Sequence, residues 1–88
     1  MRFTTTRLCG GEALMAVSSE ELDLDLDLAA KTFEKEGFEI KEKDDMMLIM
    51  IWNGMETTVY PQGKIMFFPL KDKKQCIDHA TLLIGMIR

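Results

Sequence analysis

The stretch MLIMIWNGMETTVYPQGKIMFF, residues 47–68, decides the fold. Asn53-Gly54 is the strongest two-residue hairpin signal, because the turn that matches strand twist needs positive φ at both central residues. Pro61-Gln62-Gly63 supplies a second turn, a fixed φ followed by a residue free to go left-handed. The runs between them, Met47–Trp52, Met55–Tyr60 and Lys64–Phe68, are rich in Ile, Met, Thr and aromatic residues and predict three antiparallel strands. Working outward, Phe38–Lys43 predicts a fourth strand, joined through Asp44-Asp45, and Pro69 stops the last one.

Turn length sets register, and register sets faces. A two-residue Asn-Gly turn pairs Trp52 with Met55, Met50 with Thr57 and Leu48 with Val59. A three-residue Pro-Gln-Gly turn pairs Tyr60 with Lys64, Val59 with Ile65 and Thr57 with Phe67. One face then holds Leu48, Met50, Trp52, Met55, Val59, Ile65 and Phe67, and Trp52 is expected to be buried there. Phe38 and Ile40 join it if the first turn spans Asp44 to Met46. A two-residue turn would bury Glu39 and Lys41 instead, so the longer turn is favoured. The opposite face carries Met47, Ile49, Ile51, Tyr60, Met66 and Phe68, edged by Thr58, Glu56, Lys64, Lys41, Lys43 and Glu39. A sheet face that met only water should be polar at its centre. This one is apolar there, as interaction sites are, unless the N-terminal residues fold over it.

Two helices are expected to cover the core face. Ser18 and Glu21 have capping-box spacing, Val17 and Leu22 are placed as a staple, and Gly37 suits a C′ position, which predicts a helix over 19–36. Leu22-Asp-Leu-Asp-Leu-Asp-Leu28 sits awkwardly in it, since strict alternation belongs to a strand. On a helix Leu22, Leu26, Ala29 and Phe33 share a stripe, while Leu24 and Leu28 point away. Either another chain covers those two or the helix starts late, near Asp27. Asp72, with Gln75 at the capping-box position, opens a second helix with the stripe Cys76, Ala80, Leu83, Ile84 and Ile87. Upstream, Phe3–Cys9 and Ala13–Val17 flank Gly10-Gly11 as a candidate hairpin. The fold class is α+β, in the order β-α-β-β-β-β-α with a possible extra N-terminal strand.

Length and charge narrow the function. Eighty-eight residues, 47% hydrophobic and 30% charged, describe one soluble domain spanning 1–88. The longest apolar run, Met46–Trp52, is far short of the ~18 residues a membrane span needs, and no apolar leader follows Arg2 and Arg7. Cys9 and Cys76 are too few and too distant for a disulfide framework or a zinc site, so a cytoplasmic setting is expected. The net charge of −4 divides into +1 over residues 1–17, −7 over 18–45 and +2 over 46–88. An acidic first half disfavours loose binding to nucleic acid.

No catalytic constellation emerges. His79 is the only histidine, and Asp78 lies about 100° away on the same helix. Asp23, Asp25 and Asp27 lack the glycine and terminal glutamate of a calcium loop, and Gly10-Gly11 lacks the Gly-Lys-Ser/Thr of a phosphate loop. No cofactor, metal or enzymatic activity is expected.

Residues 45–84, including METTVYPQGKIMFFPLKDKKQCIDHATLLI, resemble one half-repeat of the TATA-box-binding protein family, with its hairpin, Gly-Lys turn, apolar strand and following helix. Similar single repeats precede the catalytic part of type-three ribonuclease H, where they bind the RNA–DNA hybrid. The resemblance implies a curved antiparallel sheet with two helices on one face. It places the Gly-Lys turn on Gly63 and Lys64, a base-wedging aromatic on Tyr60, and nucleic-acid-facing positions on Met66 and Phe68. The second wedge position falls near Asp45 or Met46, and the four strands hold no arginine.

The expected function is a non-enzymatic interaction module that uses the open face, or a sheet edge, for a protein partner or a second copy in a homodimer. The candidate face is Met47, Ile49, Ile51, Thr58, Tyr60, Lys64, Met66, Phe68, Lys41 and Lys43. The alternatives are a nucleic-acid binder, with Lys41, Lys43 and Lys64 on phosphates, and a carrier holding a small apolar ligand between sheet and helix.

Overall fold

The computed structural model describes residues 2–7 and 12–87. Six strands, β1 (Phe3–Arg7), β2 (Leu14–Ser18), β3 (Glu39–Lys43), β4 (Leu48–Trp52), β5 (Met55–Tyr60) and β6 (Lys64–Phe68), form one antiparallel sheet in the order β1-β2-β6-β5-β4-β3. Two helices, α1 (Leu26–Lys35) and α2 (Lys73–Ile87), bury their apolar stripes with the helix-side residues of the sheet. The fold is α+β, as expected.

The β4-β5-β6 meander has the register that its turns dictate. Trp52 faces Met55, Leu48 faces Val59, and Tyr60 faces Lys64. Asn53 (φ 50) and Gly54 (φ 77) both take the positive φ that the two-residue turn demands. The core side holds Leu48, Met50, Val59, Ile65 and Phe67, all fully buried, with Trp52 8% exposed. From the helices come Phe33, Cys76, Ala80 and Leu83. Trp52 Nε1 donates to His79 Nδ1 at 3.0 Å, so the histidine is a packed partner of the core tryptophan. Burial pushes the Cys76 thiol up to about 11, which makes it an inert core residue.

Two expectations need correction, and one open alternative is decided. First, the helix over 19–36 begins only at Leu26, so the late start is the observed one. Ser18 ends β2 rather than capping a helix, and Asp25 is the N-cap, its Oδ1 accepting from the Asp27 and Leu28 amides. After a bend at Ser19 and Glu20, residues 21–25 form no helix, because the turn after β5 offers bare carbonyls: Leu22 N–H donates to Gln62 O and Leu24 N–H to Pro61 O. Alternation therefore holds as far as Leu26, with Leu22 and Leu24 packed on the core, and helical spacing takes over from Leu26 through Ala29, Ala30 and Phe33. Leu28 stays 56% exposed. At the other end Gly37 (φ 93) is the C′ residue, and the bonds Phe38 N–H to Phe33 O and Gly37 N–H to Glu34 O close a Schellman motif.

Second, the turn between β3 and β4 has four residues, 44–47, and β3 compensates with a bulge. Asp44 Oδ1 accepts from the Met46 and Met47 amides, which locks the longer turn. The extra residue, Lys41, sits between Ile40, opposite Met50, and Glu42, opposite Ile49. Two irregularities of one residue cancel, so Ile40 still reaches the core side. Beyond the bulge the alternation is inverted, which moves Lys43 opposite Leu48 to the helix side and Glu42 to the open side.

Third, the alternative in which the N-terminal residues fold over the open face is the one set aside: the hairpin lies beside β6 and the face stays open, as expected. Leu14 pairs with Phe67, Met15 with Met66 and Val17 with Lys64. Cys9 and the Gly10-Gly11 step lie outside the described residues.

Candidate interaction face

Because directly paired residues share a face, the register builds the open side row by row. The central row runs Thr6, Met15, Met66, Thr58, Ile49, Glu42 across all six strands. To one side lies Thr4, Val17, Lys64, Tyr60, and to the other Phe68, Glu56, Ile51, Glu39. Thr58, in the middle strand, is only 2% exposed, although no helix covers it. Its cross-strand neighbours Met66 and Ile49 shield it. Met15, Ile49, Ile51, Met66 and Tyr60 are half-buried, and Phe68 is 43% exposed. The centre of the face is therefore an apolar band with its side chains leaning on one another, open to solvent outward.

Of the expected face residues, the register brings together Ile49, Ile51, Thr58, Tyr60, Lys64, Met66 and Phe68. Met47 is in the turn ahead of β4, and Lys41 is the unpaired residue of the bulge. Lys43 is not on this face. Its ammonium pairs with Asp27 in the first turn of α1, and each side chain holds the other charged: the Asp27 carboxyl is lowered by the Lys43 contact, and the Lys43 ammonium is raised by it. Met15, Val17 and Glu42 belong to the face and were not foreseen. Glu42 was hidden by the compensating bulge. Residues 13–17, Ala-Leu-Met-Ala-Val, are apolar at every position, which suits a strand with apolar surroundings on both sides, yet nothing local names β6 as the neighbour.

At the Tyr60 end the band meets the segment 19–25. Met15, Val17, Tyr60, Gln62 and Lys64 line an open groove of about 660 Å³, with Ser18 to Glu21 along its other wall. Gly63 is the hinge of this corner. Its φ is +102, and a Cβ there would lie 3.0 Å from the Ser18 Cβ and 3.1 Å from a Leu22 methyl. Glycine lets this segment lie directly on the turn.

Among the described residues no group of three or more His, Cys, Asp or Glu is placed to hold a metal ion, and no helix is long and apolar enough to cross a membrane. Comparison of the chain with protein-family models, with curated proteins and with solved structures finds no match.

Proposed function

We propose that the domain is a non-enzymatic binding module whose open sheet face receives a protein surface, from a partner or from a second copy. One observation carries this reading: the segment best placed to cover the apolar band, the N-terminal hairpin, extends it instead, adding Met15 and Val17 beside Met66 and Lys64. Such a band is larger than water-facing sheets normally leave bare. A single sheet with both helices behind it is also the arrangement of the half-repeat that residues 45–84 resemble, and we read the chain as a lone half-repeat of that kind. The space between sheet and helices is filled by Phe33, Phe67, Met50 and Leu83, which favours the outer face over an internal ligand site.

The test is association measured against salt. Sedimentation of the wild type at tens of micromolar, alone and with material captured from extract of its own cells, should show a complex or dimer. Phe68→Ala with Met66→Ala should abolish it, and salt should change it little, because the apolar centre carries the energy. A gel shift with sub-micromolar, steeply salt-dependent binding to a duplex, hybrid or single strand would overturn the reading.

A further inference from the structure

The four-residue turn between β3 and β4, with the bulge that compensates it, changes the charge of the open face, and with it the kind of partner that fits. With a three-residue turn and no bulge, Lys41 and Lys43 would both edge this face. With the four-residue turn, Lys43 is turned to the helix side and tied to Asp27, Glu42 takes a place beside Ile49, and the bulge at Lys41 returns Ile40 to the core side. Ile51 lies between Glu39 on β3 and Glu56 on β5, and Glu56 also faces Phe68. All three glutamates are exposed. Among the described strand residues, Lys64 is the one base that pairing places on this face, at the far corner beside Tyr60 and Val17, and the exposed Lys41 stands unpaired at the bulge next to Glu42, so the three glutamates outnumber the bases near the face. Glu21 stands on the wall of the groove there.

We infer that the occupant of this face is a basic protein segment: apolar side chains seated on Ile49, Ile51, Met66 and Phe68, and lysines or arginines over Glu39, Glu42 and Glu56. This rests on the proposed use of the open face for protein and names the partner's chemistry. Three glutamates about the Ile49–Ile51 end of an apolar centre repel phosphate backbones and steer a cationic surface into register, while the apolar contacts supply most of the affinity.

The experiment is selection of a random peptide library on the immobilised full chain. Synthetic versions of the enriched peptides are then titrated against wild type, Ile51→Asp and the triple variant Glu39→Gln, Glu42→Gln, Glu56→Gln. Enriched peptides should be net positive and apolar. The triple variant should bind them about tenfold more weakly at low salt, as three rim charges lost together would give, and the difference should fade at high salt. Ile51→Asp should abolish binding. Acidic or neutral peptides that still depend on Ile51, or a dimer that Ile51→Asp dissolves, would overturn the basic-partner inference and leave the binding face standing. Peptides that bind Ile51→Asp as well as wild type, or no enrichment over a bare support, would overturn both.

Discussion

Adjacent threonines in the middle strand separate the two faces of this sheet. Thr57 and Thr58 are both buried, at 0% and 2% exposure, one on each side. Around Thr57 the row Leu14, Phe67, Thr57, Met50, Ile40 lies under two helices, and its first four members are fully sealed. Around Thr58 the row Met15, Met66, Thr58, Ile49, Glu42 has no layer above it and closes only by leaning side chains together. The composition of the two rows is nearly the same; what differs is the second layer. An apolar row under helices is a core, whereas the same kind of row without them stays open to solvent, which is the premise of the proposed binding face.

The sharpest way to break this comparison is to truncate neighbours on opposite sides of one strand. Phe67→Ala should cost about 3–5 kcal/mol in a urea melt, whereas Met66→Ala should cost under about 1 kcal/mol. Equal losses would mean that the faces are not distinct. A smaller effect is expected at the corner where the segment 19–25 meets the turn. Gly63→Ala must hold an alanine at φ +102 against Ser18 and Leu22, and should cost on the order of 1–3 kcal/mol. An unchanged melt would show that residues 19–25 do not pack there.

The weakest effect tests the contact of Lys43 with Asp27. Lys43 is placed on the helix side by its pairing with Asp27, and both groups are well exposed, so Lys43→Met should lower stability only slightly. The sign with pH is definite. The folded carboxyl of Asp27 lies below its ordinary 3.8, so its contribution is present above that value and is lost as pH falls through the lowered one. The Lys43 ammonium lies above its ordinary 10.5, so its contribution is present below that value and is lost as pH rises through the raised one. The difference between wild type and Lys43→Met should therefore be flat at neutral pH and vanish in strong acid and strong base. If it instead persisted unchanged in strong acid, where Asp27 is protonated, the Asp27 contact would not be its source.

Most of the sheet was legible because its information is local. Asn53-Gly54 and Pro61-Gln62-Gly63 set turn lengths, turn lengths set register, and register sorted Trp52, Phe67 and Met50 from Ile51, Met66 and Ile49. The helix start was ambiguous because two sound signals competed, a capping box at Ser18 and alternation from Leu22. Backbone carbonyls at Pro61 and Gln62, distant in sequence from that segment, decided for alternation. The place of the hairpin was not legible, since pairing of β2 with β6 spans about fifty residues and leaves no local trace. The bulge at Lys41 was hidden for a different reason: a longer turn cancels it, so the core side looks right while Glu42 and Lys43 exchange sides.

The most direct test of the central claim places a charge on each face in turn and reads folding and capture together. Met66→Asp should keep the circular dichroism and cooperative melt of the wild type but lose the protein or second copy that the wild type holds. Phe67→Asp, one residue along, should not fold. A Met66→Asp chain that fails to fold, or that folds and retains the wild-type partner, would contradict the account.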